Sequence, residues 1–225
     1  MVTKSFRNNL THNRVLSRGT SDNYGVFLQN NADFTTVEYN NITTNGTTTQ
    51  NFGIYQTISW QNNITNNIIV TNGTSSTMGM RVDLDSNTTR VDNNDITTQG
   101  RAASNFGIYL VSRATNNNLT NNVFNTSGTS SNIGIDLESS VNNTIVLNNT
   151  IRTGGTTTNN EGIVITTRSN NNNLTHNRIS TTGTGANYGI DFAATANLSV
   201  IEYNNITTNG TTTNNIGIFF VATSG

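Results

Sequence analysis

Four carboxylates of this 225-residue chain fall into two equally spaced pairs. Asp83 and Glu138 are 55 positions apart, and so are Asp136 and Asp191. Paired carboxylates can work on a glycosidic bond, one donating a proton while the other activates water or attacks. Phe27, Tyr55, Arg81 and Tyr109 recur at about half that interval, 28, 26 and 28 positions apart; aromatic rings can stack on sugars, and an arginine can pack between rings. His12 and His176 are the two histidines, and a soft-metal site would draw on them, on Met and on Cys, which is absent. Which of these groups meet depends on the elements that carry them.

Those elements are repeats. A glycine before an apolar pair stands at Gly25, Gly53, Gly79, Gly107, Gly134, Gly162, Gly189 and Gly217. A second, usually in a Thr-x-Gly-Thr context, stands at Gly19, Gly46, Gly73, Gly100, Gly128, Gly155, Gly183 and Gly210. Nine and four residues before the second glycine every position is apolar, as at Leu119 and Phe124. Six residues before it every position is Asn: Asn13, Asn40, Asn67, Asn94, Asn122, Asn149, Asn177 and Asn204. A register kept this long is the mark of a solenoid.

The flanking residues are β-branched or aromatic and alternate with polar ones, and no stretch has helical spacing. One repeat of roughly 27 residues thus holds three short strands. It cannot bury its apolar face alone, so repeats must stack. The expected fold is all-β, a single-stranded parallel β-helix of about seven to eight coils, with like residues ~4.8 Å apart up the stack. The apolar positions nine and four before the second glycine differ in parity, so the chain must bend between them. The Asn column is expected at that bend, in a left-handed conformation, its amides hydrogen-bonded from coil to coil. The Thr two before the second glycine shares parity with the apolar column and should face inward or sit at an edge.

The segments Gly107–Asn125 (GIYLVSRATNNNLTNNVFN) and Gly162–Ser180 (GIVITTRSNNNNLTHNRIS) resemble right-handed parallel β-helix repeats of the pectin-lyase-like superfamily. Within it they are most similar to NosD-type and related Asn-rich surface β-helix proteins. The resemblance implies the fold; it leaves activity open, because such repeats scaffold lyases, hydrolases, epimerases, phage spikes and structural proteins.

The register then tests the chemistry. Each carboxylate pair lies two coils apart, ~9.6 Å, near the upper limit for an inverting pair. The coil between offers Tyr109 and Val164, not acid–base partners. None of the motifs of polygalacturonase-like hydrolases is present, nor the calcium and arginine site of pectate-lyase-like enzymes. The acids therefore read as scattered and solvated, with no recognisable catalytic constellation. His12 and His176 share a column six coils apart, ~29 Å, and cannot share an ion. No metal site and no cofactor are expected. Phe27, Tyr55, Arg81 and Tyr109 run up adjacent coils, with Asp136 and Asp191 further along the same column. This stripe either binds carbohydrate or is cross-strand stacking that stabilises the sheet. Two residues break their columns: Glu161 in an otherwise apolar one, and Gln56 in an inward one.

Composition narrows the rest. Without cysteine there is no disulfide or zinc framework, and a net charge of −1 lacks the basic footprint of a nucleic-acid binder. No apolar run is long enough for a membrane span. The expected function is a non-catalytic structural rod of a surface or secreted protein, acting in adhesion or end-to-end self-assembly; the alternative is a carbohydrate-binding or carbohydrate-modifying β-helix. Residues 1–225 are expected to form one solenoid domain without caps, either a segment of a longer β-helix or a protomer whose ends stack on another copy unless residues 1–5 and 222–225 cover them.

Overall fold

The protein, seen in a computed structural model that describes residues 5–193 and 195–221, is a right-handed parallel β-helix. The terminal segments suggested above as covers, apart from Ser5, lie outside the described residues. Strands form three parallel sheets of eight, and every sheet takes one strand from each coil in chain order. In coil 4, for example, Arg90–Asp92 enters sheet A, Asp95–Gly100 sheet B and Asn105–Leu110 sheet C. There is no helix among the described residues.

The apolar columns meet along the axis. Val37, Ile64, Val91, Leu119, Val146 and Leu174 of sheet A are fully buried against Ile42, Ile69, Ile96, Phe124, Ile151 and Ile179 of sheet B. Sheet C contributes Ile54, Met80, Ile108, Ile135, Ile163 and Ile190. The threonines Thr44, Thr71, Thr98, Thr126, Thr153 and Thr181 also face inward and are buried. Gln56, the polar break in an inward column, is buried and donates to the Ser59 carbonyl at 2.8 Å and the Thr89 hydroxyl at 2.7 Å.

Between sheets A and B the asparagine ladder runs unbroken. The Asn94 backbone and side-chain N–H groups both donate to Asn122 Oδ1, at 2.9 and 3.0 Å, and Nδ2 also donates to the Ile64 carbonyl at 2.9 Å. Asn122 repeats this with Asn149 and Val91. The left-handed residue, however, is the one before each ladder asparagine: Asn66, Asn93, Asn121 and Asn148 have φ of 55–57°. The expected position was one residue late. The left-handed residue reverses the chain's parity and points outward, which frees the ladder asparagine to point in.

A second ladder lies between sheets B and C. Asn105 donates to Asn132 at 2.9 Å, Asn132 to Asn160 at 2.7 Å and Asn160 to Asn187 at 3.0 Å. It explains the Thr-x-Gly-Thr glycine: a Cβ on Gly46 would lie 1.8 Å from Asn51 Oδ1. The other glycine column is set by coil-to-coil approach, since a Cβ on Gly107 would stand 2.5 Å from the Gly134 carbonyl oxygen.

Candidate functional site

That glycine also shapes the outer face of sheet C. In register, Phe106 pairs with Ile133 and Ile108 with Ile135, while Gly107 is skipped. The kink aims the residue before the glycine outward, beside the residue two after it. Two outward columns therefore run side by side, and rings in them touch, as Phe106 and Tyr109 do at 5.2 Å between centroids. A third column, two residues further along, holds Asp83 and Glu138.

The first coils of this strip are aromatic. Phe27 stacks on Tyr55 at 4.9 Å and 8°, and Tyr24 on Phe52 at 5.4 Å and 17°. The Arg81 guanidinium lies 5.6 Å from both the Tyr55 and Tyr109 rings and 5.9 Å from Phe52. It is fixed by Asp83, whose Oδ2 accepts from Nη2 at 2.6 Å and Nε at 3.0 Å. Because stacked rings cover one another's faces, this half is built as a cross-strand ladder and shows a ligand its ring edges.

The later coils are acidic. Asp136 follows Tyr109 in register, Val164 follows Asp136, and Asp191 follows Val164. The Tyr109 hydroxyl donates to a Glu138 carboxylate oxygen. Asp136 is only 7% exposed, and Asp83 only 4%. The reading of these acids as scattered and solvated is thus corrected for Asp83 and Asp136, which neighbouring side chains cover; Glu138 and Asp191 are half-buried. Asp136, Glu138, Glu161 and Asp191 make no ion pair among the described residues. The Oδ1 atoms of Asp136 and Asp191 are buried without a hydrogen-bond partner.

Burial therefore favours the protonated acids. Desolvation, then the charges of Glu138, Glu161 and Asp191, raise Asp136 well above the ordinary carboxylate range. Burial and the Asp191 charge push Glu161 up to about 7, and burial raises Asp191 itself. The Tyr109 hydroxyl is raised by burial and by its bond to Glu138. Groups poised near neutrality can move protons at physiological pH.

All six residues of the sequence-derived stripe lie on one column. Glu161 completes their acidic half, and its only signal in the sequence was a charge in an apolar column. Residues 37–56 and 201–220 also agree at fifteen of twenty positions, and residues 8–14 repeat as 172–178. Each copy stacks a histidine on a tyrosine at 5.1 Å, His12 on Tyr39 and His176 on Tyr203. Among the described residues no group of three potential ligands could hold a metal ion. A separate groove of about 520 Å³ beside sheet B is lined by amides, hydroxyls and Arg101, without a carboxylate.

No protein-family model matches the chain, and no curated protein matches it. Among solved structures it is similar to the periplasmic alginate epimerase AlgG, at 17% identity and a TM-score of 0.45, over 70% of this chain and 42% of that one. A mutant of the same epimerase aligns at 14% identity and a TM-score of 0.41, over 82% and 56% of the two chains. The chain thus spans about half the length of the proteins it matches.

Proposed function

We propose that the protein is a rigid β-solenoid rod whose sheet-C face binds a polysaccharide outside the cytoplasm. The observation that carries this reading is the buried, unpaired carboxylate cluster around Asp136. A rod alone gains nothing from it, because an apolar residue at Asp136 would avoid the desolvation that an unpaired buried acid suffers. Neighbouring coils place Val111 and Val164 on the same strip. The cluster lies on a straight face long enough for several sugar units of an extended chain. Affinity electrophoresis of the full chain in gels carrying neutral, anionic and cationic polysaccharides tests the reading, with reducing-end release monitored in parallel. Retardation in at least one gel, weakened by Glu161→Gln, is expected. Equal mobility in all of them would remove it.

A further inference from the structure

The acidic half of the strip has a shape as well as a composition. On coil 6, Val164 lies between Asp136 of coil 5 and Asp191 of coil 7, in register with both. Glu161, three residues earlier on the same strand (Glu161–Ile165), occupies the adjoining outward column. Val164, itself buried, therefore has carboxyl groups on three sides, and Glu138 stands on the strand of Asp136.

The surrounding charges are these. Coil 4 presents Tyr109, turned to Glu138; coil 6 presents Glu161; coil 7 presents Tyr188 and Asp191. The cation of the strip, Arg81, is two coils below Asp136, held between two tyrosines and paired with Asp83. Nothing described supplies a counter-charge. Two buried acceptor atoms, Oδ1 of Asp136 and of Asp191, lack donors, and Asp136 itself is more than nine-tenths buried. The missing group should thus carry positive charge and several N–H donors. A spherical metal ion fits poorly, since no three of these acids converge as ligands.

We propose that this acidic cluster takes the primary ammonium group of an amino sugar, so that the polymer recognised by sheet C is a cationic, glucosamine-type polysaccharide. The ammonium donates to the Asp136 and Asp191 carboxylates, which flank the buried Val164. Uronate polymers are excluded by like charge. The inference rests on the polysaccharide reading of sheet C and names its substrate class. It also makes binding release protons, because acids held protonated by burial must ionise to meet the ammonium.

Titration calorimetry of the full chain at about pH 6 tests it, with hexamers of glucosamine, N-acetylglucosamine and galacturonic acid. The first two share a backbone and differ in the charge that acetylation removes. We expect the glucosamine hexamer to bind about tenfold more tightly than its acetylated form, a difference of ~1.4 kcal/mol. Asp136→Asn with Asp191→Asn, near-isosteric changes whose folding is checked by circular dichroism, should reduce the advantage to about twofold or less. Asp95→Asn, exposed on sheet B, should keep it. Equal binding of the two hexamers, an advantage that survives the double variant, tighter galacturonate binding, or binding that appears only with added calcium would each overturn the inference while leaving polysaccharide binding intact. Failure of every hexamer and every polysaccharide would remove the sheet-C reading itself.

Discussion

The Tyr109 hydroxyl on coil 4 donates a hydrogen bond to Glu138 on coil 5, tying the aromatic half of the sheet-C strip to the acidic half. The acceptor is a carboxylate in a partly buried setting, so the bond belongs to the stronger, charge-assisted class. Tyr109→Phe keeps the ring and its contacts with Arg81 and Phe106 but leaves Glu138 without this donor. The variant should lose about 1–3 kcal/mol in urea denaturation at neutral pH. A loss below about 0.5 kcal/mol would mean that the bond contributes little to the fold.

Glu161 gives the chain an unusual pH dependence. Its folded-state value of about 7 is above the ordinary 4.5, so the folded protein holds this proton more tightly than the unfolded chain does. That contribution is complete below about pH 4.5 and is lost as pH rises through about 7. Asp136 and Asp191 act in the same direction. Asp85, lowered by its bond to Arg113, acts below its ordinary 3.8 and outside this window. Melting temperature should therefore fall between pH 5 and 7 in the native protein, and fall less in Glu161→Gln. A rise across that interval would contradict the burial of the cluster.

The solenoid was legible because its chemistry recurs: an inward residue in one coil is inward in the next, and the Asn and Gly columns mark the bends. The site was only half legible. Alternation along a strand places Glu161 with the inward residues, yet the kink at Gly162 turns it outward beside Val164. The same two-residue rule put the left-handed bend on Asn94 when it falls on Asn93. Burial of Asp136 depends on what its neighbours in other coils cover, a relation that no pair of columns states.

The two adjoining asparagines separate ladder from bend. Asn122 makes three donor contacts and accepts two from Asn94. Asn122→Ala leaves the Asn94 backbone N–H and the Val91 carbonyl of the preceding coil without their partner and should cost about 2–4 kcal/mol in chemical denaturation. Asn121→Ala, at the exposed left-handed residue, should cost only about 1 kcal/mol, from backbone conformation and from the solvent-exposed bonds of its side chain with Asp92 and Asn148. Similar costs at the two sites would deny the ladder its role.

The glycine columns make the sharpest contrast between positions of one residue type. A methyl at Gly107 would meet the Gly134 carbonyl oxygen at 2.5 Å and the Phe124 ring at 2.9 Å. The first of these is backbone of the next coil, so relief requires the sheets to part and both ladders to stretch. Gly107→Ala should therefore cost about 2–3 kcal/mol. A methyl at Gly154 meets only the Thr182 hydroxyl, at 2.8 Å, and that side chain can rotate away. Since Gly154 has no left-handed backbone to protect, Gly154→Ala should change stability by no more than about 0.5 kcal/mol, with reduced freedom of the unfolded chain offsetting the contact. The two variants, compared by urea denaturation with equal m-values, decide the point. If Gly107→Ala proved as mild as Gly154→Ala, the close approach of neighbouring coils would not be what demands glycine there.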